Sequence, residues 1–231
     1  MLKAINLTKT YGKHEALSQL NLSVDKGEIF CLLGQNGAGK TTTINLFLGL
    51  IAPTSGEALI NDVTVKSNSN STTKMIAYIP EVVQLYGNLT GIENLNFFSR
   101  LAGFNYSKTE LSDFLSKAGL QKTAHQNKLA EYSKGMRQKV GIAIALSKNA
   151  EYIFMDEPIS GLDPKATLEF TKICKELSTE GKAIFMATHD IFNAVNVGTK
   201  IGIMKEGKLV YTANTDTINA SELQDLYLKT I

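Results

Sequence analysis

The chain has 231 residues, 43% of them hydrophobic and 20% charged, the balance of a globular protein and enough for one large domain or two small ones. With 24 Lys and Arg against 22 Asp and Glu, the formal net charge is +2 and no run of like charges occurs, so no nucleic-acid-binding footprint is present. No apolar run reaches the roughly 18 residues that a membrane span needs, and the N-terminal Met1 to Leu7 lacks the apolar core of a secretion signal. Cys31 and Cys174 each sit in an apolar stretch and read as buried free thiols of a reducing compartment.

In chain order, residues 1–30 read as strands. Leu20, Leu22 and Val24 alternate with polar residues, and Asp25-Lys26-Gly27-Glu28 turns the chain into the apolar run ending at Leu33. Tyr11 stands beside Gly12 as an isolated aromatic. Next comes Gly34-Gln35-Asn36-Gly37-Ala38-Gly39-Lys40-Thr41, which fits G-x-x-x-x-G-K-[ST]. It lies between an apolar run and a stretch with Ile44, Phe47, Leu48 and Ile51 at helical spacing. Strand, glycine loop and helix together make a phosphate cradle. Backbone N–H groups point into a concavity, the helix adds its positive end, Lys40 reaches the outer phosphates, and the Thr41 hydroxyl can ligate Mg²⁺.

Pro53 to Gly56 stops that helix, and Glu57 to Val65 reads as a hairpin turning at Asn61-Asp62. Ser67 to Thr73 is a polar low-complexity stretch read as an exposed loop. Met75 to Ile79 reads as a strand ended by Pro80. From about residue 85 to 150 the pattern turns helical. Thr90-Gly91-Ile92-Glu93 and Ser107-Lys108-Thr109-Glu110 are capping boxes, Leu95, Phe98, Leu101 and Ala102 continue one face, and a third helix starts at Ser133. Strand and helix then alternate. Tyr152 to Met155 leads into Asp156-Glu157-Pro158, Asp163 caps a helix opened by Pro164, and Ala183 to Ala187 leads into Thr188-His189. A hairpin follows at Lys205-Glu206-Gly207, and the tail from Ser221 to Leu228 reads as helix. The class is α/β with parallel strands, a helical insertion and extra N-terminal β-strands.

Asp156 closes a buried apolar strand, the place where a phosphate loop needs a metal-holding acid. Glu157 follows, placed to accept a proton from an attacking water.

These motifs together resemble the nucleotide-binding subunit of ATP-binding cassette (ABC) transporters over essentially the whole chain. Ser133-Lys134-Gly135-Met136 resembles the family signature, Ser160-Gly161-Leu162-Asp163 the loop after the acidic pair, and Ala187-Thr188-His189-Asp190 the switch histidine. The resemblance implies a P-loop NTPase (RecA-like) core with an N-terminal antiparallel β subdomain, mainly 1–30 and 55–75, and a helical subdomain over about 86–150. It implies ATP and Mg²⁺ as ligands. Tyr11 would stack on adenine, and Gly34, Gln35, Asn36, Gly37, Ala38, Gly39, Lys40, Thr41 and Thr42 would hold phosphates. Ser133 and Gly135 would bind the phosphate of ATP on an opposing subunit, with Asp163 near the junction. Glu157, His189, Lys40 and Glu81 would serve catalysis, and Thr41, Glu81 and Asp156 the metal. The expected partners are a second nucleotide-binding subunit, identical or a paralogue, and a separate transmembrane permease. Its expected place is cytoplasmic, on the inner face of the membrane.

Two positions depart from the family pattern. Where Gln is common after the strand ending at Ile79, Glu81 stands in register, with Gln84 three residues later. A carboxylate there can still ligate Mg²⁺. In the signature, Lys134 replaces a glycine, and Tyr132 and Met136 replace the usual Leu and Gln. These departures, with Leu85 to Thr90, resemble the branch serving drug, lantibiotic and sodium exporters. An apolar docking surface for the permease is expected at Leu85, Tyr86, Phe97 and Phe98, residues that could equally serve as core.

Overall fold

The computed structural model describes residues 1–67 and 71–230. Asn68, Ser69 and Asn70, within the expected polar loop, lie outside the described residues. Two sheets carry the chain. The first is antiparallel, in the order β2-β1-β4-β5, from β1 (Leu2–Tyr11), β2 (His14–Val24), β4 (Ser55–Ile60) and β5 (Val63–Thr64). Asn61 and Asp62 turn the β4–β5 hairpin with φ of 50° and 60°, the left-handed pair such a two-residue turn requires. The second sheet has the order β10-β9-β3-β8-β7-β6. Its parallel strands are β3 (Ile29–Leu33), β6 (Ile76–Ile79), β7 (Tyr152–Asp156), β8 (Ala183–Thr188) and β9 (Lys200–Lys205), with β10 (Lys208–Asn214) antiparallel at the edge.

The parallel strands are buried on both faces, which is why they read as unbroken apolar runs. Side chains alternate between two cores. Ile29, Cys31 and Leu33 of β3, with Ile184 and Met186 of β8, face one core. Phe30 and Leu32, with Phe185, Phe154 and Tyr152, face the other, which the antiparallel sheet closes with Leu2, Leu7, Leu17, Leu20 and Val24. Phe30 stacks on Phe185 at 5.6 Å between centroids, and Phe47 of helix α1 (Lys40–Phe47) stacks on Phe154 at the same distance. Truncating Phe185 to Ala would open a cavity there and cost about 3–5 kcal/mol.

Helices α2 (Gly91–Leu101), α3 (Lys108–Lys117) and α4 (Lys134–Ser147) pack on one another and join the first core through Leu95, Leu111, Leu115, Val140 and Ile142. Both capping boxes form. Helix α5 (Pro164–Thr179) carries its Asp163 cap on the Ala166 N–H, and α7 (Ala220–Thr230) closes the chain. Cys31 and Cys174 are buried free thiols, and burial pushes the Cys31 thiol up to about 12.

Four expectations need correction. Helix α1 stops at Phe47, because Gly49 turns left-handed at φ 70°, so Ile51 lies beyond it. Met75 belongs to a short 3₁₀ turn (Thr73–Met75), so its strand begins one residue later. Leu101, at the end of the α2 apolar face, is 75% exposed. An additional helix, α6 (Ile191–Val197), follows His189; its cap is Asp190, which accepts from the Asn193 N–H at 2.9 Å.

Candidate nucleotide site

The register of the parallel sheet builds the site. Leu33 pairs with Thr188, Asp156 with Ala187, and Ile79 with Met155. The carboxyl ends of four adjacent strands therefore finish level, and the segments beginning at Gly34, Pro80, Glu157 and His189 leave the sheet on one edge. That edge is where ligands bind in such sheets. A cavity of about 380 Å³ opens there, lined by Tyr11, His14, Ala16, Gln35, Asn36, Gly37, Gly39, Lys40, Thr41, Thr42, Glu81, Asp156 and Glu157.

The glycine loop is shaped by close approach. Gly39 has φ 107°, and a Cβ there would meet the Ala16 carbonyl at 2.6 Å, so no larger residue fits. Lys40 is 7% exposed at its side chain. Its Nζ donates to the Gly34 carbonyl at 2.6 Å and to that of Gln35 at 3.3 Å, and lies 3.8 Å from Glu157 Oε1. Burial lowers its pKa, partly opposed by the charges of Glu157 and Asp156. Thr41 Oγ1 donates to Asp156 Oδ2 at 2.9 Å. The Asp156 carboxyl is raised above its ordinary value, by burial first, against the opposing Thr41 hydrogen bond.

Glu157 is held from several directions. Its φ is 46°, a left-handed conformation that costs a non-glycine residue on the order of 1–3 kcal/mol and concentrates at functional sites. Its N–H donates to the Ala187 carbonyl at 2.9 Å, tying it to β8. Its Oε2 accepts from Thr188 Oγ1 at 3.3 Å and from the His189 N–H at 3.4 Å, and His189 Nδ1 lies 2.9 Å away. The carboxylate is thus fixed in direction while His189 stays exposed at 63% of its side chain.

The residues present suit Mg²⁺. Thr41 and Asp156 supply hard oxygen donors side by side, Glu81 lines the same cavity, and no cluster of three His, Cys, Asp or Glu exists among the described residues. An ion that completes its shell with phosphate oxygens and water needs no such cage.

Ser133, Gly135 and Asp163 do not line this cavity. Ser133 caps α4, accepting from the Met136 N–H at 3.3 Å, and is exposed; Asp163 is exposed as well. Sequence reasoning placed Ser160 in the loop after the acidic pair but missed its contact with Glu81, to whose Oε1 the Ser160 Oγ donates at 3.0 Å. A small polar residue in a loop carries no signal for that. Gln84, the other candidate for the amide position, is exposed and does not line the cavity.

The family model for ABC transporters matches residues 17–160. The chain belongs to this family. The bacitracin transport ATP-binding protein BcrA of Enterococcus faecalis is 38% identical over 96% of this chain and 70% of its own length. The lantibiotic transport ATP-binding protein SrtF of Streptococcus pyogenes is 31% identical over 98% of this chain and 96% of its own. Among solved structures, the ATP-binding cassette MJ0796, a dimer in a post-hydrolysis state bound to ADP and Pi, superposes with a TM-score of 0.83. It is 28% identical and matches 93% of this chain and 99% of that one. This chain is therefore an ATP-binding, ATP-hydrolysing subunit of an ABC transporter of the exporter type. No helix among the described residues is long and apolar enough to cross a membrane.

Proposed function

We propose that the subunit hydrolyses Mg²⁺-bound ATP in a site shared between two copies, and that dimer closure drives export through a separate permease at the inner face of the membrane. The observation that carries this reading is the division of the functional residues. Gln35, Asn36, Gly37, Gly39 to Thr42, Asp156 and Glu157 line one cavity, whereas Ser133 and Gly135 are not among its lining residues.

In this reading Tyr11 stacks on the adenine, and the glycine-loop N–H groups, the α1 terminus and Lys40 take the phosphates. Thr41, Asp156 and Glu81 would hold Mg²⁺, which supplies charge neutralisation to the phosphates when bound. Glu157 accepts the proton of the attacking water, oriented by Thr188 and by the His189 backbone and ring. The hydrogen bonds to Oε2 aim the carboxylate before substrate arrives, so little reorganisation remains for the chemical step. On the second copy, Ser133 and Gly135 at the start of α4 present N–H groups and a helix dipole to the outer phosphate, and Asp163 caps the neighbouring helix.

The whole chain acts as one ATPase unit, its helical part over about residues 86–150 facing the permease. There the exposed Tyr86 and Phe97 and the half-buried Phe98 form an aromatic cluster, with Tyr86 and Phe97 edge to face at 5.0 Å. Beside it runs an apolar groove of about 360 Å³ between Phe98, Leu101, Ala102 and Ile144. Leu85 is half-buried and packs against the core, so it contributes less to docking than its sequence position suggests.

The test is the concentration dependence of ATP hydrolysis by the purified chain with Mg²⁺. Activity rising more steeply than protein concentration is expected. Strict proportionality from nanomolar protein upward would mean that each copy works alone.

A further inference from the structure

The two positions where this chain departs from its family pattern meet in space. Glu81 stands where an amide is common, Lys134 where a glycine is common, and Lys134 Nζ lies 3.9 Å from Glu81 Oε1. That is a charge contact, too long for a hydrogen bond. The same Oε1 accepts from Ser160 Oγ at 3.0 Å, which fixes the carboxylate. Beneath it, the buried Gln138 of α4 donates to the carbonyls of Pro80 at 3.3 Å and Glu81 at 3.1 Å, tying the two segments together.

The charges around the cavity give this contact a purpose. Glu81, Asp156 and Glu157 all line it, and Lys40 is the one lysine or arginine that does, among the described residues. A nucleotide adds more negative charge. Without Mg²⁺, a carboxylate at position 81 therefore brings a repulsion that the common amide would not.

We propose that Lys134 is a positioning residue for the nucleotide cavity of its own chain: it offsets the charge of Glu81 and, with Ser160, holds that carboxylate, so that the cavity accepts a nucleoside triphosphate. This rests on the reading of the cavity as the ATP site. It gives a signature residue a second task, inside its own subunit, besides any it performs toward the opposing one.

A double-mutant cycle on the full chain separates the possibilities. Wild type, Lys134→Gly, Glu81→Gln and the double variant are titrated with trinitrophenyl-ATP in EDTA, at a concentration where size-exclusion chromatography shows monomer. KM and kcat are then measured with Mg²⁺. An exposed charge pair is worth about 0.2–1 kcal/mol, so Lys134→Gly should weaken binding about 1.5- to 5-fold and raise KM with little change in kcat. In the Glu81→Gln background the same change should do nothing further, and Lys134→Arg should keep wild-type affinity. Lys134→Gln, which retains the side-chain length and helix propensity, serves if the glycine variant does not fold. Equal weakening in both backgrounds, or no weakening in either, would overturn the inference. Lys40→Ala is the control. If it binds the analogue as tightly as wild type, the reading of the cavity itself fails; if it loses binding while the cycle is additive, only the role of Lys134 fails.

Discussion

The cavity edge and the start of α4 are built from the same materials and finished differently. At the cavity, functional groups are partnered inside the chain. Lys40 is spent on the Gly34 carbonyl and faces Glu157, Thr41 is bonded to Asp156, and Glu157 is held by Thr188 and His189. At Ser133 and Gly135 a helix terminus faces outward, its cap in place and its binding groups turned away from that cavity. In the proposed reading, the first region receives a phosphate and the second is delivered to one. A single copy carries both regions, and Ser133 and Gly135 do not line its cavity.

The sharpest way to break this comparison is at Glu157. Glu157→Gln keeps the size and the acceptor for Thr188 but cannot take a proton. ATP hydrolysis should fall by about 10²–10⁴-fold with ATP binding retained, as measured by steady-state turnover and by nucleotide titration. Undiminished turnover would remove Glu157 from its role. Gly135→Ala probes the other region. A methyl there meets Ala166 Cβ at 3.3 Å and Leu162 Cδ2 at 3.6 Å, a fit that needs only a small adjustment. Thermal stability should stay within the roughly 0.5–1 kcal/mol that glycine replacement brings in a helix. Turnover should nevertheless drop about tenfold or more, the loss expected where one phosphate contact is blocked. A variant that melts early and binds ATP poorly would mark Gly135 as structural. Tyr11→Ala should raise KM for ATP about 2- to 12-fold, the worth of one aromatic stack, and leave kcat nearly unchanged.

Asp156→Asn has the smallest effect on the fold and the most informative sign. Because burial raises the Asp156 carboxyl above its ordinary 3.8, its charged form is disfavoured in the folded state. Stability is therefore lost as pH rises from the unfolded value through the folded one. The asparagine variant should melt higher than wild type at pH 7 and lose that advantage below about pH 3.8, while hydrolysis collapses. A lower melting temperature at pH 7 would show that the Thr41 hydrogen bond outweighs burial.

Much of this was legible in the chain. Thr90 and Glu93, Ser107 and Glu110, and Asp163 with Pro164 each announced a helix start that formed as read, because capping is decided within four residues. The buried strands before Gly34, Asp156 and Thr188 were plain as apolar runs, so the cavity edge could be anticipated. Helix α6 was not read, because its signal is Asp190 capping Asn193 with no acid in the usual place. The exposure of Leu101 was not visible either, because helical spacing continues the apolar face without showing where the core ends. Neither the left-handed Glu157 nor the meeting of Glu81, Ser160 and Lys134 was visible. Three segments far apart in sequence touch there because β6 and β7 are neighbours in the sheet, a fact of topology rather than of local pattern.

The central claim, that each site is divided between two copies, is tested most directly by mixing two dead variants. Lys40→Ala loses its cavity and keeps its signature; Gly135→Asp keeps its cavity and puts a carboxylate where a phosphate must approach. Neither should hydrolyse ATP alone. Mixed in equal amounts they should recover on the order of a quarter of the wild-type rate, since about half of random dimers pair unlike copies and one of their two sites is whole. A mixture no more active than its separate components would place the complete site within one chain and contradict the account.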